Sequence, residues 1–181
     1  MKGSITRLIL QKHSDIKNLK NWRPFPLLNI DYKIISKVLT SHLAKVIESI
    51  VHSDHSIVSN FTLLHDIIDL QETDECPTLV SLDQEKAFDR VTHIFLLQLF
   101  EVYGFHPDFC RWVSTLYNDA FMQIIINDHL SSKVCLQHRV RQCDPLSPLL
   151  FVLCVEVLAS LIRLFPEIES FLLPGANALQ A

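Results

Sequence analysis

The segment Ser81-Leu82-Asp83-Gln84-Glu85-Lys86-Ala87-Phe88-Asp89-Arg90-Val91 carries the clearest chemical signal in the chain. It follows the run Thr78 to Leu82, whose short β-branched and aliphatic composition predicts a buried strand. A carboxylate at the end of such a strand, here Asp83, is held rigidly at a sheet edge, where it can fix a divalent metal beside a phosphate. Two-metal phosphoryl transfer needs several such oxygens converging, with the metals roughly 4 Å apart. Asp83 can equally cap the turn that follows it, and the residue types alone leave both readings open.

Other candidates are weaker. His52-x-x-His55, with His65 and Asp54 nearby, has the makings of a zinc site, but no cysteine completes a tetrahedral set at ligand spacing. Histidines exposed in a loop are the simpler reading. The five cysteines, at 76, 110, 135, 143 and 154, are odd in number and form no C-x-x-C pair. That pattern argues against a disulfide framework or a zinc ribbon and for reduced thiols in an intracellular protein. Three glycines in 181 residues argue against a Gly-rich phosphate loop, and tight turns must come from Asn, Asp and Pro.

Net charge is −4, unevenly spread. Residues 1–45 hold nine Lys/Arg against two acids, Asp15 and Asp31, whereas residues 46–181 hold seven against eighteen. A basic N-terminal part joined to an acidic remainder suits a protein that grips phosphates on one side. On charge alone, an ordinary solvated basic face is the simpler reading.

These residues need elements to position them. The sequence is 49% hydrophobic, enough for one packed domain or two small lobes sharing a core. Residues 5–11 read as a short strand, and the polar, Pro-punctuated stretch Lys12 to Asn29 reads mostly as loop. Asp31 then caps a helix with the apolar stripe Ile35, Val38, Leu39, Leu43, Val46, Ile47 and Ile50. A second helix is expected over Thr62 to Leu70, and others from Thr92 to Tyr103, ending at Gly104, and from Pro107 with Phe109, Trp112, Val113, Leu116 and Tyr117 on one face. Phe121 to Ile126 and Lys133 to Gln137 suggest a hairpin around Asn127-Asp128. Ser147 caps a last helix, with Pro148 in its first turn and Pro166 beyond its end. The longest apolar run, Leu149 to Val155, is too short to span a bilayer. The basic N-terminus lacks the apolar region of a signal peptide. Periodicity thus indicates an α+β intracellular domain.

Three segments add a resemblance. Asn21-Trp22-Arg23-Pro24-Phe25-Pro26-Leu27-Leu28-Asn29-Ile30-Asp31-Tyr32-Lys33-Ile34, then Leu82-Asp83 to Val91, then Val140-Arg141-Gln142-Cys143-Asp144-Pro145-Leu146-Ser147-Pro148-Leu149-Leu150-Phe151 stand in this order. They resemble the NWRPISLLxxDYKI fingers motif, the LDxxKAFDRV palm motif and the VRQGxPLSPLLF motif of LINE-type (non-LTR retrotransposon) reverse transcriptases. The resemblance covers roughly residues 1–163. It implies an α+β, partial right-hand polymerase fold: a fingers-like segment at 1–77, a partial palm at 78–164, and a divergent tail at 165–181. It further implies that Asp83 is the first metal-binding carboxylate, with Mg²⁺ as cofactor. Phe88 would be the steric gate against a ribose 2′-hydroxyl, its alternative being a plain core residue. Arg23 would reach the triphosphate, with Lys12 assisting, and Gln142 would contact the nucleotide. Alternatives are a surface ion pair for Arg23 and a loop hydrogen bond to backbone for Gln142. The implied partners are an RNA template, a DNA primer and deoxynucleotide triphosphates, with no membrane.

The departures from that pattern shape the expectation. The family completes its metal site with a Tyr-Ala-Asp-Asp type motif, yet the last aspartate here is Asp144. One carboxylate cannot hold two metals against phosphate repulsion, so the chain alone is expected to be inactive. Arg139 and Cys143 replace family glycines, and a side chain at 143 should restrict the backbone. Leu10-Gln11-Lys12-His13 departs from the usual Pro-Lys-Lys. In His52 to Thr62, which parallels HPDQTGFVPGRSIxDN, one residue is lost and Phe61 stands where arginine is expected. The family's endonuclease, thumb and C-terminal regions are not within these residues. The competing expectations are a non-catalytic nucleic-acid-binding remnant, the product of a decayed element, and, less close in wording, a group II intron type reverse transcriptase.

Overall fold

β1 (Gly3–Leu10) is the centre of a mixed five-stranded sheet. The computed structural model describes residues 3–10, 12, 15–52, 80, 82–136, 138 and 140–168. β2 (Trp22–Leu28) pairs antiparallel with β1 at one edge, matching Ile9 with Arg23 and Ile5 with Leu27. β3 (Phe121–Ile126) pairs parallel with β1 on its other side, Ile5 opposite Gln123. Two short strands, β4 (His129–Leu130) and β5 (Val134–Cys135), return antiparallel along β3.

The expected loop from Lys12 to Asn29 therefore contains a strand. Pro24 and Pro26 misled the reading, because proline cannot donate to a ladder. Among the described residues β2 is an edge strand paired with β1 alone, and its two prolines fall two residues apart, in one phase of the ladder. An edge strand tolerates this. The hairpin turn is as expected: Asn127 and Asp128 both take positive φ, 49° and 63°, the backbone a tight two-residue turn requires; the return arm, expected at Lys133 to Gln137, is instead split into His129–Leu130 and Val134–Cys135.

A short 3-10 turn, Leu19–Asn21, precedes β2. Among the described residues, five helices join the sheet: α1 (Ile30–Ile50), α2 (Ala87–Arg90), α3 (His93–Val102), α4 (Pro107–Tyr117) and α5 (Ser147–Leu164). The cap of α1 lies two residues earlier than the expected Asp31. The Asn29 side chain accepts from the Asp31 N–H at 3.3 Å, and Asp31 sits in the first turn, where its charge favours the helix dipole. The buried stripe of α1 is Tyr32, Ser36, Leu39 and Leu43, rotated from the expected one, so Val38 and Val46 are exposed. α3 starts at Thr92, whose hydroxyl accepts from Phe95 N–H, and stops at Gly104 with φ 70°. α4 has Pro107 in its first turn and buries Val113, Leu116 and Tyr117; Trp112, expected on the same face, is exposed.

α1 packs on α5, and α3 packs on both α4 and α5. Leu43, Leu96, Phe100, Val113, Leu150 and Leu153 are the centre of the resulting core. Each such fully buried side chain contributes roughly 1.5–3 kcal/mol. α5 is apolar and long enough to cross a membrane by length and composition, with mean hydropathy 2.0, although no such stretch was expected. Its Glu156 is buried, accepts from Ser160 Oγ at 3.0 Å and is joined to Arg163, while Leu158, Leu161, Ile162 and Leu164 are exposed.

Two expected elements lie elsewhere. The helix over Thr62 to Leu70 falls outside the described residues. Of the strand Thr78 to Leu82, Val80 and Leu82 are described; neither is in a strand and both are exposed. A strand exists through its ladder, and these two residues have no partner strand among the described residues.

Candidate functional site

Asp83 follows Leu82 and is exposed. Lys86, with φ 54°, turns the backbone through the left-handed region into the single turn α2. Phe88, in α2, is half-buried and meets Phe151 of α5 edge-to-face, ring centres 5.0 Å apart. Its carbonyl accepts a hydrogen bond from Val140 N–H at 3.0 Å. That bond joins the Asp83–Phe88 segment to the segment carrying Gln142, about fifty positions downstream.

Gln142 is half-buried and lines a small crevice with Ser4, Thr6, Pro26 and Leu28, on the covered face of the sheet. Arg23 alternates onto the opposite, exposed face beside Phe25, Leu27, Arg7 and Ile9. Lys12 is exposed just past β1. The structure thus ties Phe88 to Val140, two residues before Gln142, leaves Asp83 in the chain just before Phe88, and sets Arg23 on the face of the sheet opposite the Gln142 crevice. Among the described residues, no three His, Cys, Asp or Glu side chains gather in a way that would hold a metal ion. Asp83 alone is not a complete divalent site. His55, His65 and Asp54 of the conceivable zinc set lie outside the described residues.

Gln142 and Cys143 form a turn between two buried ionic side chains, Arg141 and Asp144, each 3% exposed. Cys143 itself is exposed and takes φ 62°, the left-handed conformation glycine adopts without strain. The expected restriction on the backbone is thus borne by a cysteine in the left-handed region.

Asp144 is the polar hub of the molecule. Its Oδ2 accepts from the Tyr32 hydroxyl at 3.1 Å, from Ser147 Oγ at 3.2 Å and from the Tyr117 hydroxyl at 3.5 Å. Its Oδ1 accepts from Ser36 Oγ and from Leu146 N–H at 3.3 Å. Ser147 is therefore a donor to Asp144 and not the cap of α5, whose N-cap is Leu146. The Arg141 guanidinium lies over the Tyr32 ring, 4.4 Å from its centre, and donates to Leu116 carbonyl at 3.4 Å. Burial, with nearby Asp144, raises the pKa of both the Tyr32 and Tyr117 phenols, so they remain neutral donors. The hub was not foreseen. Its sequence signal is two hydroxyl residues, Tyr32 and Ser36, four apart on the buried stripe of α1, where each needs a partner.

The family model described as reverse transcriptase (RNA-dependent DNA polymerase) matches residues 10–173. A Xenopus laevis protein, "Transposon TX1 uncharacterized 149 kDa protein", is 36% identical over 163 residues, 86% of this chain and 12% of that protein. A Popillia japonica "Retrovirus-related Pol polyprotein from type-1 retrotransposable element R2" is 26% identical over 150 residues, 79% of this chain and 21% of its own length. The chain spans only 12% and 21% of the length of these two relatives.

Proposed function

Because this chain belongs to the reverse transcriptase (RNA-dependent DNA polymerase) family and is a LINE-type member, we propose that its residues form the fingers and the first half of the palm, and that by themselves they do not polymerise DNA. The observation that carries the reading is the hydrogen bond from Val140 N–H to Phe88 carbonyl. It unites two motif segments distant in sequence, and it supports Phe88 and Gln142 as neighbours at one nucleotide. Phe88 would bar a ribose 2′-hydroxyl by bulk, and Gln142 would hydrogen-bond the nucleotide. Arg23 and Lys12 would meet phosphates as cations. Arg23 fits this set least, because it lies on the other face of the sheet. In this reading residues 1–77 are the fingers-like segment, 78–164 the partial palm and 165–181 a divergent tail.

The family implies a divalent metal. Asp83 would be one of its ligands, with Mg²⁺ the proposed ion, but a lone exposed carboxylate does not fit a two-metal site. Absence of polymerisation by these residues alone follows from that. RNA template, DNA primer and deoxynucleotides are the proposed partners, and free Cys110, Cys135, Cys143 and Cys154 support an intracellular setting.

A second reading, a non-catalytic nucleic-acid-binding remnant, is favoured by one feature. The open face of the sheet carries Arg7 and Arg23 beside Phe25, a combination suited to phosphate and base contacts. The test is deoxynucleotide incorporation on a primed RNA template with Mg²⁺, with Asp83→Ala as control. The expected result is no incorporation above the control. Incorporation that disappears in Asp83→Ala would show that further carboxylates are supplied from elsewhere and would overturn the proposed inactivity.

A further inference from the structure

We infer that Asp144 is the positioning residue for the Gln142–Cys143 turn, clamping it to three helices through buried hydroxyls. The inference rests on the reading above in one respect only, that Gln142 meets the nucleotide.

Cys143 sits at φ 62°, a backbone conformation that disfavours L side chains. Something must hold it there. On its amino side, Arg141 is buried over the Tyr32 ring, and Val140 is tied to Phe88. On its carboxyl side, Asp144 takes hydroxyls from α1 (Tyr32, Ser36), from α4 (Tyr117) and from the start of α5 (Ser147). It also accepts the N–H of Leu146, which closes its own loop. A buried carboxylate with several donors is costly to displace, since every donor it leaves becomes an orphan. Two buried ionic anchors thus flank Gln142, half-buried in the crevice beside Ser4 and Thr6, and Cys143, which is exposed. Tyr32 serves both anchors, its ring under Arg141 and its hydroxyl on Asp144. The clamp connects α1 directly to the turn, so the orientation of Gln142 is set by a helix from the other proposed lobe.

Two measurements on the full chain, with Cys135→Ser to leave Cys143 as the exposed thiol among the described cysteines, test this. The first is the rate at which Cys143 reacts with a disulfide reagent, which reports the turn without any nucleotide. The second is the affinity for a deoxynucleotide triphosphate with primed RNA template, in a double-mutant cycle with Gln142→Ala. Asp144→Ala is expected to change the Cys143 rate several-fold and to weaken nucleotide binding about tenfold, and to have little further effect once Gln142 is alanine. Asp144→Asn, which keeps an acceptor, should restore much of both. Tyr32→Phe, which removes one donor and keeps the ring, is the second variant should Asp144→Ala not fold, and should move both readouts in the same direction. An unchanged Cys143 rate in folded variants, or equal losses of affinity with and without Gln142, would overturn the inference. If the parent chain binds no nucleotide, the functional reading fails, while the thiol rate still decides whether Asp144 holds the turn.

Discussion

The phenol of Tyr32 donates to Asp144 at 3.1 Å across 112 positions of sequence, from the first turn of α1 to the loop before α5. The same ring lies beneath Arg141. One side chain thereby compensates a buried anion through its hydroxyl and a buried cation through its π face.

Removing that hydroxyl while keeping the ring isolates the first contact. Tyr32→Phe is expected to lower unfolding stability by about 1.5–3 kcal/mol, the range for a hydrogen bond to a charged group. Tyr32→Leu should cost more, since the guanidinium also loses its ring. Urea unfolding followed by circular dichroism measures both, and equal losses in the two variants would deny the ring any part.

Alkaline stability follows from the two buried phenols. In the unfolded chain each ionises near the ordinary value of 10.0, whereas in the fold burial raises both. Their contribution is full below about pH 10 and is lost as pH rises above it, at up to about 1.4 kcal/mol per pH unit for each group. Stability curves through this range should flatten in Tyr32→Phe and in Tyr117→Phe. Tyrosinate absorbance should appear for these residues only with unfolding.

Cys143→Gly should stabilise the chain by up to about 1 kcal/mol, because glycine enters φ 62° without strain. Part of the relief is offset by the greater freedom of glycine in the unfolded state. Cys143→Val should destabilise, as a β-branched side chain suits that region least. Thermal unfolding of the three forms distinguishes a strained turn, which orders them Gly, Cys, Val, from a relaxed one.

Gly3→Ala tests close packing at the start of β1. An added Cβ would stand 2.5 Å from the Phe121 ring, which faces Gly3 across the sheet and carries Lys133 on it. A loss of about 1–3 kcal/mol is expected, the range for overpacking. Combining it with Phe121→Leu should recover part of the loss, and simple additivity would argue against the contact.

Thiol chemistry should divide the described cysteines. Burial pushes the Cys154 thiol up to about 11, and the Cys110 thiol upward as well, whereas Cys135 and Cys143 are exposed. At neutral pH an alkylating reagent should modify Cys135 and Cys143 well before Cys154. Peptide mapping of a time course reads the order directly.

Much of this protein is settled by local sequence. The helix starts at Thr92 and Pro107, the stop at Gly104 and the Asn127-Asp128 turn depend on residues within one turn of themselves, so they were legible before any fold was known. The motif wording likewise identified the family without coordinates. Tertiary structure decided the remainder. Whether Pro24 and Pro26 fall in a strand depends on β2 being an edge, a property of the whole sheet. The stripe of α1 turned so that Tyr32 and Ser36 face inward because Asp144, over a hundred residues away, supplies their acceptor. The strand expected before Asp83 needed a neighbouring strand, and Val80 and Leu82 have none among the described residues. In each case pairing or burial depended on groups remote in sequence, and no local pattern carries that information.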